Sequence, residues 1–331
     1  MVRRLILTGI IALAGGSALY AQGQTQTTRI EAVPGAPEID KTTQTEDVGF
    51  RNDANDRLTV PVRLVGTGPY RFLVDTGADR TAISRQLASR LGFGPGNAAL
   101  LHSVAGMSRV TTARVPSLQL TSKEVRNIDA PLLAGEHMGA DGILGVDSLR
   151  AQRVMFDFEA QTMSIVPART PDFRAEPGTI VVQASRRNGR LLLTQATANG
   201  HLVAVVLDTG SQVTIGNSAL RKALMGNRML SGTQQQVVLE SVTGEKIVGE
   251  YMFLKELEIG GITLRNLAIV FTDAHTFKQL RLDRQPALLL GMNAMRAFRK
   301  VSIDFGSRKL RVLLPEQSQR ETWRIEAASR D

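Results

Sequence analysis

No cysteine occurs in the 331 residues, which excludes disulfides, thiolate metal sites and a cysteine nucleophile. Aromatic residues are few, at 5% of the chain. The four histidines, His102, His137, His201 and His275, are scattered without ligand spacing, so each reads as a surface or loop residue and no metal or other cofactor is expected. No apolar run reaches the roughly 20 residues of a membrane-spanning helix. The longest, from Leu5 to about Leu19, follows Arg3 and Arg4 and is succeeded by small residues near Ala18 and Ala21. That pattern reads as a signal peptide over 1–21, so the protein is expected to be exported, periplasmic or secreted, with a retained N-terminal anchor as the alternative.

Loss of Arg3 and Arg4 with such a leader lowers the formal charge from +9 by two, to about +7. The basic residues are dispersed and lack interleaved aromatics, which argues against a nucleic-acid partner. Hydrophobic residues make up 43%, enough for a substantial core in two lobes. Residues 22–55 are polar and rich in Thr, Gln and Pro, and read as a flexible tether, with "VGF" near Phe50 as an initial edge strand. Residues 168–178 read as an interlobe linker and 316–331 as a charged tail.

Between these segments the sequence repeats itself. "RLTVPVRLVGTGPYRFLVDTGA" parallels "RLLLTQATANGHLVAVVLDTGS", each a strand, a glycine-containing turn and a strand ending in an acid. "SVAGMSR" parallels "SVTGEKI". "LQLTSKEVRNIDAPLL" parallels "LEIGGITLRNLAIVF", with Asn127 and Asn266 in register. "GILGVDSLRAQRVMFDF" parallels "LLLGMNAMRAFRKVSIDF", matching Gly145 to Gly291 and Asp157-Phe158 to Asp304-Phe305. Four blocks in one order indicate duplication, and alternating apolar residues with frequent turns make each copy mostly β with one short helix. Two homologous all-β barrel lobes are expected, over 56–167 and 179–315, related by a pseudo-twofold axis.

Such an axis would bring Asp75 and Asp208 together. Two adjacent carboxylates cannot both ionise cheaply, so the pair shares a proton. That state suits amide hydrolysis: the ionised acid takes a proton from a water, and its partner donates one to the scissile carbonyl. Thr76 and Thr209 can bond across the axis, Gly77 and Gly210 let backbone N–H groups approach the carboxylates, and a hydroxyl at Ser211 can reach Asp208. Asp141 reads as a turn residue, because Ala287 stands at its equivalent. Asp157 and Asp304 read as strand-end residues, and Met292 and Met295 as helix packing.

The doubled motif, "FLVDTGA" with "ILG" and "VVLDTGS" with "LLG", resembles the retropepsin-like and pepsin-like aspartic proteases over 57–315. With the leader it is most similar to the bacterial periplasmic aspartyl proteases that carry two retropepsin-like lobes in one chain. The resemblance implies an aspartic endopeptidase with Asp75 and Asp208 as the catalytic dyad. It also implies substrate-binding flaps around Val104, Ala105 and Gly106 and around Val242, Thr243 and Gly244. Lobe 1 carries Arg80 and Thr81 after the motif and lobe 2 Gln212 and Val213, so the family's threonine or serine just after Asp-Thr-Gly-Ala/Ser is absent. The expected partner is a protein or peptide bound extended beneath the flaps, drawn from periplasmic or membrane-anchored proteins, and a monomer suffices because one chain holds both half-sites. The alternative is a non-catalytic peptide-binding module on the same fold.

Overall fold

The computed structural model describes residues 58–120, 124–149, 152–167, 179–188, 190–225 and 230–315, together with the backbone of five short extended segments before residue 53. Most of the leader and tether, the 168–178 linker and the 316–331 tail therefore lie outside the described residues. Among the described residues no helix is long and apolar enough to cross a membrane.

The first lobe is an eight-stranded sheet closed on itself. Leu58–Leu64 and Thr67–Val74 form a hairpin in register Thr59↔Leu73, turning at Val65 and Gly66, where φ is +44° and +77°. The second value suits glycine; the first is strained for a β-branched residue. Met107–Gln119 pairs with Glu124–Leu133 and then back with the first strand, Leu118 opposite Leu64, which completes the barrel.

The acid is delivered by residues 72–74, all buried. They are apolar on both faces because Gly142–Leu144 lies parallel beside them and core packs above and below. Gly142–Leu144 also pairs antiparallel with Ala82–Ser84, so it fills the space between the strand that enters the acid loop and the strand that leaves it.

Lobe 2 repeats this arrangement. Ala204–Leu207 runs parallel to Ala287–Leu290, which pairs antiparallel with Thr214–Gly216. Leu192 opposite Val206 is the counterpart of Thr59 opposite Leu73, each 133 residues on. Gly145 and Gly291 stand where the chain crosses the acid loop at contact distance: an added Cβ would lie 2.4 Å from the Arg80 carbonyl carbon and 2.6 Å from that of Val213. Both "LG" motifs therefore encode a backbone crossing. Asn127 and Asn266 also share a conformation, with φ of +54° and +53°.

A six-stranded sheet drawn from both lobes lies beyond the barrels. At its centre Gln152–Asp157 pairs antiparallel with its own repeat counterpart, Lys300–Asp304, Arg153 opposite Asp304 and Asp157 opposite Lys300. Thr179–Gln183 extends one side, and the segment Glu46–Gly49, close to the edge strand expected near Phe50, closes the other. Asp157 and Asp304 end their strands by accepting backbone N–H bonds from Glu159 and Ala160 and from Ser307. Met292 and Met295 are buried in the short helix after Gly291.

Candidate active site

Each acid loop begins where its strand's carbonyl partners run out, and the lateral strand takes over. Asp75 N–H donates to Leu144 O at 3.0 Å, and Asp208 N–H to Leu290 O at 3.1 Å. The carboxyls then turn back into the loop. Asp75 Oδ1 accepts from Gly77 N at 2.7 Å and Ala78 N at 3.1 Å, and Asp208 Oδ1 accepts from Gly210 N at 3.1 Å. Both side chains are buried, at 0% and 3% exposure.

The two loops are clamped by exchange. Thr76 N donates to Thr209 Oγ1 and Thr209 N to Thr76 Oγ1, at 2.9 and 3.1 Å. Each hydroxyl in turn donates across the junction, Thr76 to Leu207 O and Thr209 to Val74 O, at 3.1 and 2.8 Å. Every bond has its counterpart in the other repeat. Four buried bonds at about 1 kcal/mol each fix the relative position of the acids far more tightly than apolar contact alone.

The carboxyls face one another. A Cβ added to Gly77 would lie 2.6 Å from Asp208 Oδ1 and 3.1 Å from Asp75 Oδ1, so this glycine leaves room for both acids. They are within hydrogen-bonding reach of each other. Burial, then the Asp208 charge, raises the Asp75 carboxyl well above the ordinary range, against the Gly77 N–H and the Arg190 guanidinium. Burial likewise raises Asp208, to about 7, against Arg190 and the Gly210 and Ser211 N–H groups. Asp75 Oδ2 is buried without a hydrogen-bond donor among the described residues.

Residues 60–151 match the family described as "gag-polyprotein putative aspartyl protease", and residues 194–294 match the family described as "Aspartyl protease". The chain belongs to the retropepsin-like aspartic proteases, in a two-lobe form. Among curated proteins none matches its sequence.

The two hairpins expected as flaps each reach across to the opposite lobe. The hairpin between Pro95–His102 and Met107–Gln119 brings Val104, Ala105 and Gly106 to its tip, and that between Leu230–Ser241 and Lys246–Ile259 brings Val242, Thr243 and Gly244. Ser103 Oγ accepts from Ala105 N and Gly106 N, and Ser241 Oγ from Thr243 N, which tightens both tips. Each flap docks on the opposite lobe. Val104 O accepts from His275 N at 2.7 Å, and the His102 and His275 rings stack at 5.2 Å with their nitrogens 2.9 Å apart. Burial, then the neighbouring His102 and Lys278, lowers the His275 pKa. On the other side His137 Nδ1 meets buried Glu240 Oε1 at 2.9 Å, and Ser108 Oγ joins flap to flap through Glu245 at 2.8 Å.

Three sequence expectations change here. His102, His137 and His275 are partly buried interlobe contacts instead of surface or loop residues, a role that spacing along the chain does not reveal. Ser211 Oγ donates to Val213 O at 2.5 Å and has no bond to Asp208. The hydroxyl residue that looked absent after the motif stands six residues beyond each acid. Thr81 Oγ1 accepts from Gly145 N and donates to Asp147, and Thr214 Oγ1 accepts from Gly291 N and donates to Asn293. The signal for this pair was the shared spacing of 133 residues. The Asp141 carboxylate accepts from Arg71 N at 2.9 Å, and its backbone carbonyl accepts from Ser84 N, as a turn residue would.

Sequence reasoning also passed over Arg190. It is 4% exposed, starts the lobe-2 strand Arg190–Leu193, and donates from Nε to Gly77 O at 2.8 Å. One lobe thus supplies a cation beside the other's acid loop.

Proposed function

We propose that this chain is an exported aspartic endopeptidase in which Asp75 and Asp208 activate one water between them. The observation that carries the reading is a pair of buried, facing carboxyls, both with raised pKa values, in loops locked by reciprocal threonine bonds. Such a pair holds a single proton over a wide pH range. The ionised acid removes a proton from the water as its oxygen attacks the peptide carbonyl carbon. The protonated acid gives its proton to the carbonyl oxygen. As the C–N bond breaks, the acid that took the water proton passes it to the leaving nitrogen, and a hydroxyl of the tetrahedral diol returns its proton to the other acid. Backbone N–H groups of Gly77, Ala78 and Gly210 steady the negative charge left on the dyad. The substrate lies extended under the flaps, where its backbone pairs with the tips.

Entry requires the flap contacts with His137 and His275 to part. The leader-like N-terminus supports export, and with it substrates among periplasmic or membrane-anchored proteins. One chain holding both acid loops supports a monomer.

The test is digestion of a denatured protein mixture from acid to neutral pH, with and without a statine peptide as transition-state mimic. Cleavage that the mimic blocks is the expected result. An inert protein that still binds the mimic would assign the chain to peptide recognition without turnover.

A further inference from the structure

Beside the lobe-1 acid loop lies a cavity of about 300 Å³. Its lobe-1 wall is largely apolar, with Leu101, Val110, Leu133 and Ile143 interrupted by His102 and Thr112, and Val242 of the second flap also lines it. Lobe 2 supplies a polar end, Arg190 and Gln279. The guanidinium is held in plane by two bonds, Nε to Gly77 O at 2.8 Å and Nη1 to Gln279 Oε1 at 3.1 Å. Nη2 carries no hydrogen bond among the described residues. The Gln279 backbone carbonyl accepts from Asn188 Nδ2 at 3.0 Å.

A buried, oriented guanidinium with a free N–H pair is a preorganised donor for one acceptor. Because Gly77 is two residues from Asp75, whatever enters this space is attached close to the bond being cut. Among the lining residues exposed Asp79 is the one carboxylate, beside the guanidiniums of Arg80 and Arg190, and Arg190 also offsets charge on the Asp75–Asp208 pair behind Gly77.

We propose that this cavity is a substrate side-chain subsite and that Arg190 makes it select an apolar stem with an acceptor tip, glutamine or glutamate ahead of leucine. The inference rests on the reading of the site as a peptidase. A buried donor left unpaired by leucine penalises that substrate much more than a missing methylene would.

The test uses peptide pairs that differ only in Gln or Leu at the residue beside the scissile bond, the position being found by library cleavage and mass spectrometry. Wild type is expected to favour Gln at least tenfold in kcat/KM. Arg190→Met should bring the ratio within a few-fold of one, and Arg190→Lys should keep part of it. A general loss of rate cancels in the ratio. Affinities of statine forms of the same two peptides, measured on Asp75→Asn by calorimetry, give the preference without turnover.

Cleavage with no preference, preference for Lys or Arg, or a preference that survives in Arg190→Met overturns the inference while leaving the peptidase reading intact. Absence of cleavage with a tenfold binding preference overturns the peptidase reading and upholds the pocket.

Discussion

Replacement of Asp208 by Asn should make the protein more stable above neutral pH, although it removes an acid from the centre of the fold. In the folded chain the Asp208 carboxyl is raised from 3.8 to about 7. Between these values the folded state keeps a proton that the unfolded chain has released. Stability from this group is therefore full below about pH 4 and declines as pH rises through the folded pKa. About three pKa units at 1.36 kcal/mol each give a penalty on the order of 4 kcal/mol by pH 8. Three buried strand side chains, Val205, Val206 and Leu207, each contribute about 1.5–3 kcal/mol and offset that cost, so the loop still folds.

The amide introduced by Asp208→Asn would keep the acceptor for Gly210 N without the charge. Urea unfolding at pH 4.5 and pH 8 measures the effect. The variant is expected within about 1 kcal/mol of wild type at pH 4.5 and about 2–4 kcal/mol more stable at pH 8. Identical pH slopes for the two proteins would refute the raised pKa and with it the shared proton.

Other perturbations separate the parts of the site. Gly77→Ala places a Cβ 2.6 Å from Asp208 Oδ1, and peptide cleavage should fall at least 100-fold while circular dichroism stays that of wild type. Thr209→Val removes an acceptor for Thr76 N and a donor to Val74 O, costing about 2–4 kcal/mol in urea unfolding, and Thr209→Ser should recover most of it. Ser211→Ala should leave the pH–rate profile unchanged, because its hydroxyl is committed to Val213 O. Gly244→Ala forces a positive φ of +84° on an L side chain and pushes Cβ to 2.5 Å from His137 Nε2, so KM should rise several-fold as the flap is displaced.

The acid loops were legible because their determinants are local and duplicated. An apolar run, Asp-Thr-Gly, and a distant Leu-Gly are each short words, and residues 144–145 and 290–291 meet the acid loops wherever those words occur. The reciprocal threonine bonds follow from the same duplication. What could not be read depends on contacts between copies. His102 meets His275 across 173 residues, and His137 meets Glu240 across 103, without any periodicity to announce them. Arg190 looked like the first residue of a repeat block; only the docking of one lobe on the other carries its guanidinium to Gly77 O. Pairing of residues 152–157 with 300–304 joined two matched blocks that the sequence offered only as parallel copies.

The most direct measurement is the turnover of a single cleavable peptide by wild type, Asp75→Asn and Asp208→Asn across pH. If one proton passes between two acids, neither Asn variant can complete both transfers, and each should lose about 1000-fold or more while wild type traces a bell-shaped profile. Near-normal turnover by either variant would contradict the account.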